Sequence, residues 1–155
     1  EDEEHAEYQS TEENVLSKSA LVFAGANNTL IEGNADSNHD GFLTAYEMST
    51  LDLSNTDLVV MSACESGLGD IGSEGVFGLQ RGVKKAGVNS ILMTLNKVND
   101  HATTLFMVKF YQGLIDGLSK HRALLEAQKY LKNAEGGKWN DMMYWASIVL
   151  LDGLN

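Results

Sequence analysis

Cys64 is the only cysteine in the sequence, and its surroundings suit a nucleophile. It stands in Leu58-Val-Val-Met-Ser-Ala-Cys-Glu-Ser-Gly-Leu-Gly69, directly after an apolar run and at the entrance of a loop that holds Gly67, Gly69 and Gly72. A thiolate at a strand end is held by the sheet while it faces a cleft. Glycines beside it let a substrate backbone come close and leave amide N–H groups free for an oxyanion. The same position also suits an inert thiol, because a free cysteine packs as a small hydrophobe. Glu65 next to it disfavours the thiolate if the two lie close in space, so catalysis needs a basic partner such as an imidazole. The chain has four histidines, His5, His39, His101 and His121.

A second constellation has metal-ligand spacing. Asp36-Ser-Asn-His-Asp-Gly-Phe-Leu-Thr-Ala-Tyr-Glu47 fits an EF-hand loop, with Asp36, Asn38, Asp40, Gly41, Thr44 and Glu47 at positions 1, 3, 5, 6, 9 and 12. An EF-hand also needs a helix on each side. The residues before Asp36 include Gly25, Asn27, Asn28, Gly33 and Asn34, which read as loop. Thr44 and Glu47 have in addition the spacing of a capping box, in which the glutamate caps a helix instead of binding metal. A calcium-binding module is therefore an alternative function.

These residues need elements to hold them. Leu21–Ala24 is a short apolar run ending at Gly25, a strand pattern, and Thr44–Leu51 reads as a short helix. Leu58–Met61 is apolar without alternation, which suits a strand buried on both faces of a parallel sheet. Gly75–Ala86 carries apolar residues at 76, 79 and 83 and stops at Gly87, so it reads as a helix in which Lys84 and Lys85 suit the C-terminal dipole. Ser90–Leu95 is a second buried strand. Asp100–Leu114 and Ser119–Leu131 are amphipathic helices, and Tyr144–Leu151 is a final strand with Trp145 in the core. Trp139 follows Gly136-Gly137-Lys138 in a loop. Strands alternating with helices predict an α/β layer fold with a mainly parallel sheet, whose reactive groups gather at the carboxyl ends of the strands.

Composition narrows the function classes. The net charge is −11, and seven acidic residues (Glu1, Asp2, Glu3, Glu4, Glu7, Glu12, Glu13) precede the first basic one, Lys18. Residues 1–14 thus read as a solvated acidic arm, followed by one domain over 15–155. No basic stripe suggests a nucleic-acid partner, and no apolar run approaches a membrane span. No signal peptide stands at Glu1. A single cysteine forms no internal disulfide, which suits a reduced, cytoplasmic setting.

Six stretches, in order, resemble the CHAT peptidases, the caspase-like domains often found after TPR repeats. They are Ser19-Ala-Leu-Val-Phe-Ala-Gly-Ala-Asn27, Asp40-Gly-Phe-Leu-Thr-Ala-Tyr-Glu47, Leu51-Asp-Leu53, Ser62-Ala-Cys-Glu-Ser-Gly-Leu-Gly69, Gly75-Val-Phe-Gly-Leu-Gln-Arg81 and Tyr144-Trp-Ala146. The resemblance implies a three-layer caspase-hemoglobinase-like fold and a Cys–His dyad with Cys64 as nucleophile. It also implies cleavage of a protein or peptide substrate without a cofactor, and an association with TPR repeats. The family carries its histidine in a His-Gly turn upstream of the Ala-Gly-Ala-Asn stretch. No His-Gly pair occurs in this chain, so the catalytic histidine is expected on a segment upstream of Glu1. His5 is the candidate within the chain. It precedes Cys64 by 59 positions (64 − 5), near the spacing of about 50 in caspases. The other histidines lie downstream of the expected place and read as surface residues. A second departure is Asn96, in Leu95-Asn-Lys-Val-Asn-Asp100, where the family usually has tryptophan. The loop after that strand helps form the pocket for the residue before the cleaved bond. Asp100, with Asn99 and Lys97 beside it, is the candidate substrate-binding group and implies a preference for Arg or Lys. An inactive or regulatory pseudo-peptidase is the further alternative.

Overall fold

The computed structural model describes residues 16–24, 26, 40–62, 74–95 and 98–152. The chain divides into two compact units, one made of 1–59, 66–89 and 154–155, the other of 60–65 and 90–153.

In the first unit, strands β1 (Ala20–Val22) and β2 (Phe42–Thr44) pair antiparallel, with Leu21 opposite Leu43. Helix α1 (Ala45–Ser49) follows directly. The capping box starts it: the Thr44 side chain accepts from the Glu47 amide at 3.1 Å, and the Glu47 carboxylate accepts from the Thr44 amide at 2.8 Å. Helix α2 (Glu74–Lys85) packs on α1 through Gly82, which lies so close to the Ala45 carbonyl that only a glycine fits. Leu79, Val83 and Ala86 bury the same face, together with Ala45 and Met48. The Leu51-Asp-Leu53 stretch is a turn: Ser54 donates its amide and hydroxyl to the Asp52 carboxylate at 3.1 and 2.6 Å, and the Leu53 amide donates to the Ala86 carbonyl.

The second unit is built on a three-stranded sheet in the order β3 (Val59–Met61), β4 (Ile91–Thr94), β5 (Ile148–Leu151), with β3 at the passage between units. All four residues of β4 are buried. Helices α3 (Asp100–Ile115) and α4 (Lys120–Asn133) form a hairpin turned at Gly117, φ 82°. Ala102, Phe106 and Phe110 of α3 and Ala123, Ala127 and Leu131 of α4 are wholly buried. Each set recurs every fourth residue, so one face of each helix is apolar. Burying each phenylalanine contributes roughly 1.5–3 kcal/mol. Gly113 lets α4 come near, since a Cβ there would lie 3.1 Å from that of Ala123. A 3-10 turn (Ala134–Gly137) and the short helix α5 (Met142–Trp145) lead into β5.

Several expectations need correction. A mainly parallel sheet is predicted from the alternation of strands and helices, but β4 and β5 pair antiparallel. Their connection explains this. A strand followed by a two-helix hairpin returns the chain to the edge it left from, so the next strand runs back. The predicted strand Tyr144–Leu151 begins inside α5, whose last two residues are Tyr144 and Trp145, because the Asp141 side chain caps the Met143 amide at 3.0 Å and starts a helical turn. Trp145 is accordingly half-buried at the end of α5 rather than in a strand core, with the Lys132 ammonium 3.4 Å from its ring centre. Strand β3 is half-buried, not buried on both faces. Among the described residues no helix is long and apolar enough to cross a membrane.

Candidate functional site

Strand β3 delivers the chain to Ser62, which is exposed. Cys64 and its glycine loop follow and lie outside the described residues, as do His5, Asp36, Asn38, Asn96 and Lys97. Of the calcium-loop candidates, Asp40 and Glu47 are described. The Asp40 carboxylate accepts from the Phe42 amide at 2.8 Å, and the Glu47 carboxylate is held by Thr44 through both its amide and its hydroxyl. Among the described residues no three His, Cys, Asp or Glu side chains gather as a metal site.

Thr94 lies opposite Ile148, and the ladder continues as the Leu95 amide donates to the Ser147 carbonyl at 2.8 Å. The Thr94 hydroxyl is buried without a hydrogen-bond partner. The other buried hydroxyls of this unit are satisfied. Ser147 donates to the Met143 carbonyl, and Ser90, at the opposite end of β4, donates to Asp152 at 2.5 Å and accepts from Lys120 at 2.9 Å.

Asn99 and Asp100 begin α3. Asn99 is the N-cap, and its side-chain oxygen accepts from the amides of His101 and Ala102 at 3.0 and 3.3 Å. That oxygen is therefore committed to the backbone. Asp100 is exposed at the first helical position, where the helix dipole favours a negative charge.

Beside this turn lies a cluster that the sequence did not disclose. The His101 imidazole donates from Nε2 to Glu135 Oε1 at 2.7 Å. Trp139 Nε1 donates to the other carboxylate oxygen at 3.0 Å, and Lys138 Nζ stands 3.6 Å from it. Trp139 is 4% exposed and meets Tyr144 edge to face, with ring centres 5.0 Å apart. His101 is exposed, as expected of a surface histidine, yet it is paired. Its hydrogen bond holds the Glu135 carboxyl below the ordinary value, against the opposing effect of burial, with help from Trp139 and from the charges of His101 and Lys138. The one available signal was Gly136-Gly137, which marks a turn and says nothing of what the glutamate before it touches.

Comparison with known proteins places these elements in a family. The sequence matches the CHAT domain over residues 5–153. It is similar to tetratricopeptide repeat protein 28 of Mus musculus, 30% identical over 109 residues, covering 70% of this chain and 4% of that protein. It is similar as well to tetratricopeptide repeat protein 28 of Homo sapiens, 29% identical over 109 residues, again 70% of this chain and 4% of that protein. The chain thus spans a small fraction of the length of these relatives. No solved structure matches it. Since the family match takes in β3, the Cys64 stretch, the α3 turn and the final strand, the chain belongs to the CHAT domain family, a caspase-like, peptidase-related family.

Proposed function

We propose that this chain carries the nucleophile half of a caspase-like cysteine endopeptidase. The observation that carries the reading is the CHAT match, continuous over residues 5–153, which includes Cys64 directly after β3. Strands β3 and β4 are neighbours, and among the described elements α2 lies between them in the chain. Such crossovers join parallel strands, and on that reading the two strands end at the same edge of a three-layer caspase-hemoglobinase-like fold.

The reaction is acyl transfer. A histidine supplied from upstream takes the Cys64 proton, and the thiolate attacks the peptide carbonyl carbon. The oxyanion is met by the Cys64 amide and by the amide of the glycine after that histidine. Collapse breaks the C–N bond, and the imidazolium protonates the leaving amine. Water then attacks the thioester, releasing the acid and restoring the thiol. The covalent steps use only the thiol, the imidazole and water. Asp100, with Asn99 and Lys97 near it in sequence, reads Arg or Lys before the scissile bond. TPR repeats are the natural companions, given the names of the relatives, and a reducing, cytoplasmic setting suits the thiol.

The test is Cys64→Ala in the complete protein. Cleavage should be abolished with the melting temperature retained. Residual cleavage at the original rate would remove Cys64 from the reaction. A complete wild-type protein that neither cleaves nor reacts with iodoacetamide would instead make this a regulatory pseudo-peptidase, a reading that the lack of a His-Gly pair in the chain keeps open.

A further inference from the structure

Glu135 is the only non-glycine described residue with positive φ (50°, ψ 41°). A side chain crowds the backbone there, and backbone outliers that persist tend to be held by their surroundings near functional sites. Gly136 and Gly137 follow with positive φ at no such cost. A glycine at 135 would complete the turn with less strain, so the turn alone does not call for a glutamate. The side chain has a specific use: one carboxylate oxygen meets His101 and the other meets Trp139 and Lys138. It therefore ties the chain beyond α4 to the first turn of α3, the turn that begins with Asn99 and Asp100. Trp139 is buried against Tyr144 of α5, so the cluster also reaches the helix that leads into β5.

We propose that Glu135 is a positioning residue for substrate selection, acting through His101 to hold the first turn of α3, and with it Asp100, at the carboxyl end of β4. This rests on the peptidase reading above. The substrate feature it controls is the basic side chain before the scissile bond. Glu135 does not touch that side chain. It restrains the turn from which Asp100 projects, and an ångström of misplacement is enough to weaken a charge-assisted contact.

The test uses Glu135→Gly and Glu135→Gln in the complete protein. Two readouts are compared with wild type: kcat and KM on matched peptides with Arg or Leu before the cleaved bond, and hydrogen exchange at the amides of His101, Ala102 and Thr103. Those three amides are bonded to Asn99, so their protection reports the turn directly. Glu135→Gly should keep the melting temperature within a few degrees, since relief of strain offsets the lost bonds. It should raise KM for the Arg peptide about tenfold, leave the Leu peptide unchanged, and speed exchange at the three amides. Glu135→Gln, which keeps an acceptor for His101, should fall between. Unchanged exchange in Glu135→Gly overturns the proposal whether or not the protein cleaves anything. Faster exchange with an unchanged Arg-to-Leu ratio overturns it too, because the clasp would then serve the fold alone. If the wild type shows no cleavage and no reactive thiol, the peptidase reading fails first, and the proposal falls with it.

Discussion

At Glu135 a strained backbone is held by contacts to the carboxylate, and pH acts on those contacts. The left-handed backbone costs an ordinary residue roughly 1–2 kcal/mol, while His101, Trp139 and Lys138 all favour the ionised carboxylate. The folded carboxyl therefore titrates below its ordinary value of 4.5. The unfolded chain takes up the proton first as pH falls, so the contribution of this group is complete above 4.5 and is lost as pH drops through the folded value. The melting temperature of wild type should exceed that of Glu135→Gln above pH 4.5, and the gap should close in acid. Because the pair is exposed, added salt should shrink it too. A gap that stays constant from neutral to acidic pH would show that the carboxylate charge plays no part. Little of this was readable beforehand, since His101 is 34 positions away (135 − 101) and the nearer partners, Lys138 and Trp139, reach the carboxylate only through the left-handed turn.

The elements themselves were far more legible. The predicted helices Asp100–Leu114 and Ser119–Leu131 match α3 and α4 to within two residues at each end, because a helix is written locally, in the recurrence of its buried face. The capping box at Thr44 and Glu47 formed as its spacing predicted. Strand β2 was not expected, and it exists because β1 offers a partner 20 to 24 positions upstream (42 − 22, 44 − 20). The same dependence on a partner applies to α2, whose glycines look unfavourable in a helix until its neighbours are seen. Alanine is worth about 1 kcal/mol over glycine in an open helix. At Gly82 the new methyl would strike the Ala45 carbonyl, a backbone atom with no room to move, whereas at Gly78 it would meet the Ser19 hydroxyl, which can rotate away, and the Ser19 Cβ at 2.9 Å, which needs only a small shift. Gly82→Ala should therefore destabilise the chain by about 1–3 kcal/mol, and Gly78→Ala by clearly less. Thermal denaturation of the two variants checks the order, and equal melting temperatures would mean that α1 and α2 are not in the close contact described.

For the molecule as a whole, the open chemical question is where the proton goes. A thiol of ordinary pKa near 8.5 is only a few per cent thiolate at neutral pH, and the leaving amine also needs a proton that cysteine supplies poorly. This chain alone should therefore cleave peptides very slowly, and a protein extended upstream by the histidine segment should be faster by about a hundredfold to ten-thousandfold. The comparison includes His5→Ala: substantial activity in the chain alone that disappears in that variant would place the base at His5. The family was open to reading from one dimension, because six short motifs in order are properties of adjacent residues. So were the spans of the main helices. The direction of β5, the capture of Trp139 and the strained glutamate beside α3 were decided only in three dimensions. The physical reason is the same for each. A strand's direction depends on the path of the chain before it, a buried indole depends on which acceptor reaches its N–H, and the left-handed glutamate is held both by its neighbours Lys138 and Trp139 and by His101, which only the fold brings to its carboxylate.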